Sequence, residues 1–293
     1  MHGDDMTATV INMLRSAGWQ HSYLENRCFD LFARSDEGSL ILKVHENVDS
    51  ADRASADELK QACRYLGAAP LIVGERTSRG ELEPEVVYER YDIPTVTTET
   101  LRRYLQLQQR PAVYNKRGGY YVQVDGDRFE RRRKEEGYSL NALAKEVGVS
   151  RKTVDTYRDG GAASVETAQR LEEVLGDVIR AVDFVEIEVE AQPAPDNRIA
   201  KRLVKIGFDA SGFSQAPFDA AARDDEERFV GKRETDVEDA LLEFLHQLQD
   251  MAESRTFLVT EDGTGYGELS SISERRMRRL EEKEEFKDAV RPE

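Results

Sequence analysis

Cysteine is nearly absent. The chain of 293 residues holds two, Cys28 and Cys63. Two thiols at that spacing exclude a disulfide framework and a zinc-binding cysteine pattern. Both are expected to be small, buried residues in a reducing cytoplasm. Histidine is equally sparse: His2, His21, His45 and His246 are scattered, and no metal site is expected from them. No run of 18 apolar residues occurs, so no membrane partner is expected. The N-terminus lacks the charged-then-apolar pattern of an export signal. These absences together predict a cytoplasmic protein. No small-molecule pocket signature is visible, and no cofactor is expected. Cations are in the minority, 42 Lys and Arg against 58 Asp and Glu, a net charge of −16. That balance at first opposes a phosphate-rich partner.

What is present is concentrated in the stretch Gly137 to Asp159, GYSLNALAKEVGVSRKTVDTYRD. Ser139 is placed to cap a first helix, since its hydroxyl can accept from an N–H of the first turn. Leu140, Leu143, Ala144 and Val147 follow at helical spacing. Gly148 stands where the helix must stop, and a residue without Cβ takes positive φ there at little cost. Ser150 then caps a second helix to about Arg158. Val154 and Tyr157 face inward on it; Arg151, Lys152, Thr153, Asp155 and Thr156 face out. A short helix, a glycine turn and a second helix opening on cationic residues is the layout of a DNA-reading helix-turn-helix. Asp127 to Glu136 predicts a preceding helix with Phe129 inward. Ser164 to Leu175 predicts a following one with Val165, Ala168, Leu171 and Leu175 as its stripe. Through Ala144 to Val154, A-x-x-x-G-V-S-x-x-T-V, the segment resembles the Cro/C1-type helix-turn-helix domain. The acid excess does not extend here: Asp127 to Arg158 carries nine Arg and Lys against six Asp and Glu. The acidic, Arg-over-Lys composition of the whole is similar to that of haloarchaeal cytosolic proteins. At molar salt, long-range steering is screened and direct base contacts must contribute more.

On the N-terminal side, residues 6 to 17 predict an amphipathic helix ended by Gly18. Cys28 to Ala33 and Ser39 to Val44 predict two strands around a polar turn. Residues 55 to 66 predict a helix and Ala69 to Gly74 a buried strand. Val86 to Tyr88 and Pro94 to Val96 are further strand candidates, and Thr98 to Leu107 a helix. This order resembles the restriction-endonuclease-like α/β fold of archaeal junction resolvases. Active members of that fold hold Mg²⁺ with an Asp on one strand and an acid two residues before a Lys on the next. Here Asp30 and Lys43 match, but Ile41 stands in the acid's place. The shell is therefore expected without nuclease chemistry: no catalytic residues and no metal ligands.

Tyr120 to Val124 predicts a strand after a hairpin turn at Gly118-Gly119, and Gln192 to Pro195 a linker. Beyond it the chain repeats itself. At a shift of 189 residues, Leu14, Gly18, Phe29, Asp30, Ala33, Arg34, Glu37 and Lys43 fall on Leu203, Gly207, Phe218, Asp219, Ala222, Arg223, Glu226 and Lys232. Val230 again replaces the acid. The constant offset argues for a second α/β domain of the same ancestry, with a helix at Val237 to Met251. The end, Ser273 to Val290, reads as a charged helix, solvated or frayed.

The expected fold class is α/β plus all-α. Two restriction-endonuclease-like domains (1–115 and 184–293) flank a four- to five-helix Cro/C1-type domain (116–183). The layout resembles an archaeal family of helix-turn-helix transcriptional regulators. The residues carrying that resemblance are FDLFAR (Phe29 to Arg34), LILKVHENVDS (Leu40 to Ser50), APLIVG (Ala69 to Gly74), Ser139 to Tyr157, KIGF (Lys205 to Phe208) and APFDA (Ala216 to Ala220). The family implies sequence-specific binding of double-stranded DNA. Ser139, Asn141, Ser150, Arg151, Lys152, Thr153, Asp155, Thr156 and Arg158 are the candidate contacts, and a homodimer paired through the nuclease-like domains is expected. Two other readings compete. One is a metal-dependent nuclease in which Glu46 or Asp49 replaces the missing acid. The other is an interaction protein, such as an adaptor of the basal transcription machinery.

Overall fold

The computed structural model describes residues 3–25, 28–233, 238–265 and 269–291. The first unit opens with helix α1 (Gly3–Ser16), followed by strands β1 (Gln20–Tyr23), β2 (Leu31–Ser35) and β3 (Gly38–Val44), helix α2 (Arg53–Leu66) and strand β4 (Ala69–Val73). A small hairpin β5–β6 (Arg76–Thr77, Gly80–Glu81), strands β7 (Val86–Arg90) and β8 (Ile93–Val96) and helix α3 (Thr98–Leu107) complete it. Strands β3, β4 and β8 run parallel, and β1, β2 and β7 join antiparallel. The strand expected from Cys28 begins at Leu31. β1, with the polar sequence QHSY, carries no apolar alternation that could announce it.

The helix-turn-helix is built onto this sheet. Strands β9 (Val113–Lys116) and β10 (Gly119–Val124) form a hairpin whose two-residue loop is Arg117-Gly118, one position before the expected turn; Gly118 takes φ +106°. β9 pairs parallel with β7, so the hairpin extends the first sheet. Then come helices α4 (Gly126–Glu135), α5 (Leu140–Val147) and α6 (Arg151–Arg158), strand β11 (Ala162–Ser164), helix α7 (Val165–Leu175) and strand β12 (Ile179–Arg180). The chain next returns to the first unit: Val182 and Phe184 are buried in its core, and the Phe184 ring lies 4.7 Å from that of Tyr104. The boundary expected at residue 184 therefore falls inside a segment packed on the first unit.

The second unit holds helix α8 (Arg198–Lys205), strands β13 (Asp209–Gly212), β14 (Ala220–Arg223) and β15 (Arg228–Arg233), helix α9 (Asp239–Met251), strands β16 (Ser254–Thr260) and β17 (Ser270–Ser273), and helices α10 (Glu274–Arg279) and α11 (Lys283–Ala289). Val237, the expected start of α9, lies outside the described residues, as does His2. Strand pairings recur between the two units at a single shift. Gln20 pairs with Arg34 and Asp209 with Arg223; Leu31 pairs with Leu42 and Ala220 with Gly231, each at the same shift of 189. The chain end is not a solvated tail: Met277, Leu280, Phe286 and Val290 are buried against Phe208, Phe229 and Phe257.

Strand alternation decides where each apolar residue goes. Leu40 and Leu42 face α1 and α3, while Ile41 between them faces the second unit. Likewise Phe229 faces the outer core of its own unit, and Val230 the shared one. That shared core takes Phe29, Phe32 and Ile72 from one unit, and Phe218, Phe244 and Leu258 from the other. Helix α2 packs on β14 and β15 as well as on its own sheet, and α9 packs on β1 and β2. The contact is reciprocal, as in a twofold dimer, but both halves belong to one chain. Among the described residues, no helix is long and apolar enough to cross a membrane.

Candidate nucleic-acid interface

Three serines set the helices of the DNA-binding unit. The hydroxyls of Ser139, Ser150 and Ser164 accept from the N–H groups of Ala142 (3.1 Å), Thr153 (3.1 Å) and Thr167 (3.2 Å), capping α5, α6 and α7. Each such cap contributes about 1 kcal/mol. Gly148 ends α5 in the left-handed conformation (φ +76°), and the Val149 N–H returns to the Ala144 carbonyl at 2.9 Å. Leu143, Val147, Val154, Leu171 and Leu175 fill the core between the helices. Tyr157 packs edge-on against Phe129, with ring centroids 6.5 Å apart, and burial pushes its hydroxyl pKa up.

The far end of α6 is held by close backbone approach. A Cβ on Gly126 would lie 2.4 Å from the Arg158 carbonyl, and one on Gly161 would lie 2.6 Å from the Thr156 carbonyl. The Gln123 amide donates to the Gly160 carbonyl, and the Val124 N–H to that of Gly161 at 3.2 Å. Thus the hairpin that extends the first sheet also fixes α6.

The candidate residues lie at the starts of α5 and α6 and along α6, and they are not equivalent. Ser139, Asn141, Ser150, Arg151, Lys152, Thr156 and Arg158 are exposed; Thr153 and Asp155 are half-buried. Ser150 is engaged as a cap and also bonds the Thr153 hydroxyl at 2.8 Å. Thr156 donates to the Thr153 carbonyl at 2.6 Å. Arg158 lies 3.4 Å from Asp155 and 3.5 Å from Asp159. Arg151 and Lys152 have no ion-pair or hydrogen-bond partner among the described residues. The positive charge of the segment is also narrower than its composition implies. Arg128, Arg132, Arg133 and Lys134 on α4 are all ion-paired, and the Arg133 guanidinium helps pull the Glu130 carboxyl down to about 2. Within Asp127 to Arg158, the cations with no ion-pair partner among the described residues are Arg131, Lys145, Arg151 and Lys152.

In the nuclease-like units, the Lys43 ammonium lies 2.8 Å from one Asp30 oxygen, and the Val44 N–H donates to the other at 2.8 Å. The second copy repeats this: Lys232 lies 3.1 Å from Asp219, whose other oxygen accepts from the Arg233 N–H at 2.6 Å. Both carboxylates are thereby committed. Ile41 and Val230, in the acid's place, are fully buried in the shared core. Glu46 is held by Arg76 at 3.2 Å. Asp49 is held by Arg90 and by the Ser78 N–H at 2.8 Å. Among the described residues, no three His, Cys, Asp or Glu are grouped to hold a metal ion. These residues do not fit the divalent ion of active nucleases of this fold. Cys28 and Cys63 are buried thiols, their pKa pushed up by burial.

Sequence reasoning missed the polar clamp between the units. Arg34 donates to the Met251 carbonyl at the end of α9 (2.6 Å), and its repeat equivalent Arg223 donates to the Arg64 carbonyl near the end of α2 (3.4 Å). Asp209 accepts from Arg64 (2.7 Å), Tyr65 (2.8 Å) and Arg223 (3.2 Å). The Glu58 carboxylate accepts from the N–H groups of Ser214, Gln215 and Ala216. The repeated arginines were the available signal.

The geometry defines a class: a helix-turn-helix DNA-binding protein carried on a duplicated nuclease-like scaffold. Comparison with known proteins agrees. Residues 3–111 match the PD-(D/E)XK superfamily domain, and residues 129–178 match a helix-turn-helix family. A protein of Pyrococcus furiosus named as an HTH-type transcriptional regulatory protein is 32% identical over 281 residues, covering 90% of this chain and 89% of its own. Namesakes from Haloquadratum walsbyi (34% identical, 76% and 73% covered) and Archaeoglobus fulgidus (35%, 76% and 75%) are similar as well. No solved structure matches. The chain belongs to this archaeal family of HTH-type transcriptional regulatory proteins, and it is a DNA-binding regulator.

Proposed function

We propose that α6 enters the major groove of duplex DNA and reads sequence there. The observation that carries this is the pair Arg151 and Lys152. They stand exposed and unpaired at the start of a helix whose other end is fixed by Gly126 and Gly161. Arg151 and Lys152 reach guanine edges or phosphates, and Thr153 and Thr156 reach base edges or the backbone. Ser139 and Asn141 lie at the start of α5, where N–H groups face a phosphate. Asp155 and Arg158 set preference through their mutual pair. The nuclease-like units act as a scaffold without cleaving DNA, which the filled acid positions and committed aspartates support.

A homodimer gives two reading helices and two half-sites. The shared core already occupies the face that pairs the two units within one chain. Pairing of chains therefore uses another surface, and light scattering of the protein free and on DNA tests it: a monomer in both states contradicts the dimer. Contacts with the basal transcription machinery are a separate expectation. The reading itself is tested by fluorescence anisotropy on the protein's own promoter, with Mg²⁺ present and the DNA checked on a gel. Binding that depends on sequence and is lost in Arg151→Ala/Lys152→Ala, with intact DNA, is the expected result. Equal binding by the variant, or cut DNA, contradicts it.

A further inference from the structure

The second unit carries a feature that the regulator reading does not use. A cleft of about 860 Å³ opens between α8 and α10. Helix α8, RIAKRLVK, bears four cations and no acid; α10, ERRMRR, bears four cations and one acid. Eight cations on two short neighbouring helices stand out in a chain of net charge −16. Arg202 fixes the two helices together by donating to the Met277 carbonyl at 3.2 Å and to the Leu280 carbonyl. The other seven cations are exposed. Of these, Arg198, Lys201, Lys205, Arg275, Arg276 and Arg279 have no ion-pair partner among the described residues.

The acids in the lining do not cancel this charge. Asp219 is paired with Lys232, and Glu274 with Arg233 and Arg278. Asp196 is the remaining acid of the lining.

The fold does not require these cations. At the shift of 189 residues, Arg198, Lys201, Arg202 and Lys205 correspond to Thr9, Asn12, Met13 and Ser16 of α1. In the first unit, Arg102 and Arg103 of α3 are paired with Glu99 at 2.7 and 2.8 Å, and Arg103 also with Glu85. One copy of a duplicated domain is thus neutral at this place and the other strongly cationic.

We infer that the α8–α10 cleft of the second unit binds the phosphate backbone of duplex DNA, an assignment that rests on the DNA-binding reading above. Exposed unpaired Lys and Arg on fixed helices are what phosphate contact needs. The one aromatic residue of the lining, Phe213, is buried in the shared core, so the cleft offers no exposed stacking platform of the kind that holds single strands. The cleft supplies affinity without sequence preference. It adds phosphate contacts to those that one short reading helix can make.

The test is a salt series of duplex binding by fluorescence anisotropy. It compares the full-length wild type with Arg198→Ala/Lys201→Ala/Lys205→Ala, with the charge-conserving Lys201→Arg/Lys205→Arg, and with Arg151→Ala/Lys152→Ala. Circular dichroism checks that each is folded. The triple variant is expected to bind specific and unrelated duplexes more weakly by a similar factor. Its log–log salt slope should fall by about 2 to 3, at 0.9 per phosphate contact, while the Lys→Arg variant keeps the wild-type slope. An unchanged slope in a folded triple variant, with binding still lost in Arg151→Ala/Lys152→Ala, overturns the cleft and leaves the reading helix standing. No duplex binding by the wild type overturns both. Tighter binding of a single-stranded RNA of equal length, lost in the triple variant, overturns the duplex assignment.

Discussion

Phe29 and Phe218 stand 189 positions apart, occupy the same place in two copies of one fold, and meet with ring centroids 6.4 Å apart. The local twofold between the copies therefore passes close to this pair. Phe29 also packs on Phe244, and Phe218 on Phe213, so both rings are enclosed in the shared core. Removing either ring leaves a cavity that both units line. Phe29→Ala and Phe218→Ala are each expected to cost about 3 to 5 kcal/mol, with non-additivity of about 0.5 to 3 kcal/mol in the double variant. Chemical denaturation monitored in both units should give one coincident transition. Separate transitions would show that the units do not share a core.

Restoring the missing acid should not restore nuclease chemistry. Ile41 is fully buried among apolar side chains. A carboxylate placed there loses its hydration without gaining a partner. Ile41→Glu is expected to destabilise the protein by several kcal/mol and to give no Mg²⁺-dependent cleavage of duplex or junction DNA. A stable variant that cuts DNA would contradict the reading of this face as interior.

Gly126→Ala tests how α6 is positioned. The added methyl would meet the Arg158 carbonyl, a backbone atom that yields only if the helix end moves. The variant should keep its circular dichroism spectrum and lose at least tenfold in affinity for the cognate site. Undiminished affinity would mean that the placement of α6 is not set at this contact.

Acid should loosen the joint between the units. Burial pushes the Asp209 carboxyl up, but hydrogen bonds from Arg64, Tyr65 and Arg223 pull it further down, and the net shift is downward. A carboxyl lowered in the folded state contributes stability that is fully present above its ordinary pKa of about 3.9. That stability is lost as the pH falls through the lower folded value. Asp209→Asn should therefore cost about 1 to 2 kcal/mol at pH 7, and its difference from wild type should shrink as the pH drops below about 4. A difference independent of pH would show that the charge on Asp209 does not matter there.

The helix-turn-helix was legible because its signals are local. Ser139, Gly148 and Ser150 each act within four residues, and the observed caps and turn fall on them. The repeat was legible because Asp30, Arg34 and Lys43 recur at fixed spacing. The joining of the two units into one core was not, since Ile41 and Val230 read alike whether they face a partner or their own sheet. Nor was the β7–β9 pairing, which depends on two strands distant in sequence. The end of the chain was misread because Met277, Phe286 and Val290 are isolated among charges, and only their packing on Phe208 and Phe229 reveals them as core. Charge partners were also invisible: composition counts Arg128 and Arg151 alike, although the first is paired and the second is not.

The most direct test of the central claim is selection of bound fragments from sheared genomic DNA, followed by affinity measurements on the recovered site and on a scrambled duplex at fixed salt. The account predicts that wild type prefers the site by about a thousandfold or more. Arg151→Ala/Lys152→Ala should retain weak, sequence-blind binding, and the DNA should be recovered uncut. No enriched fragment, or the same enriched fragment with both proteins, would contradict the assignment of α6 as the reading helix.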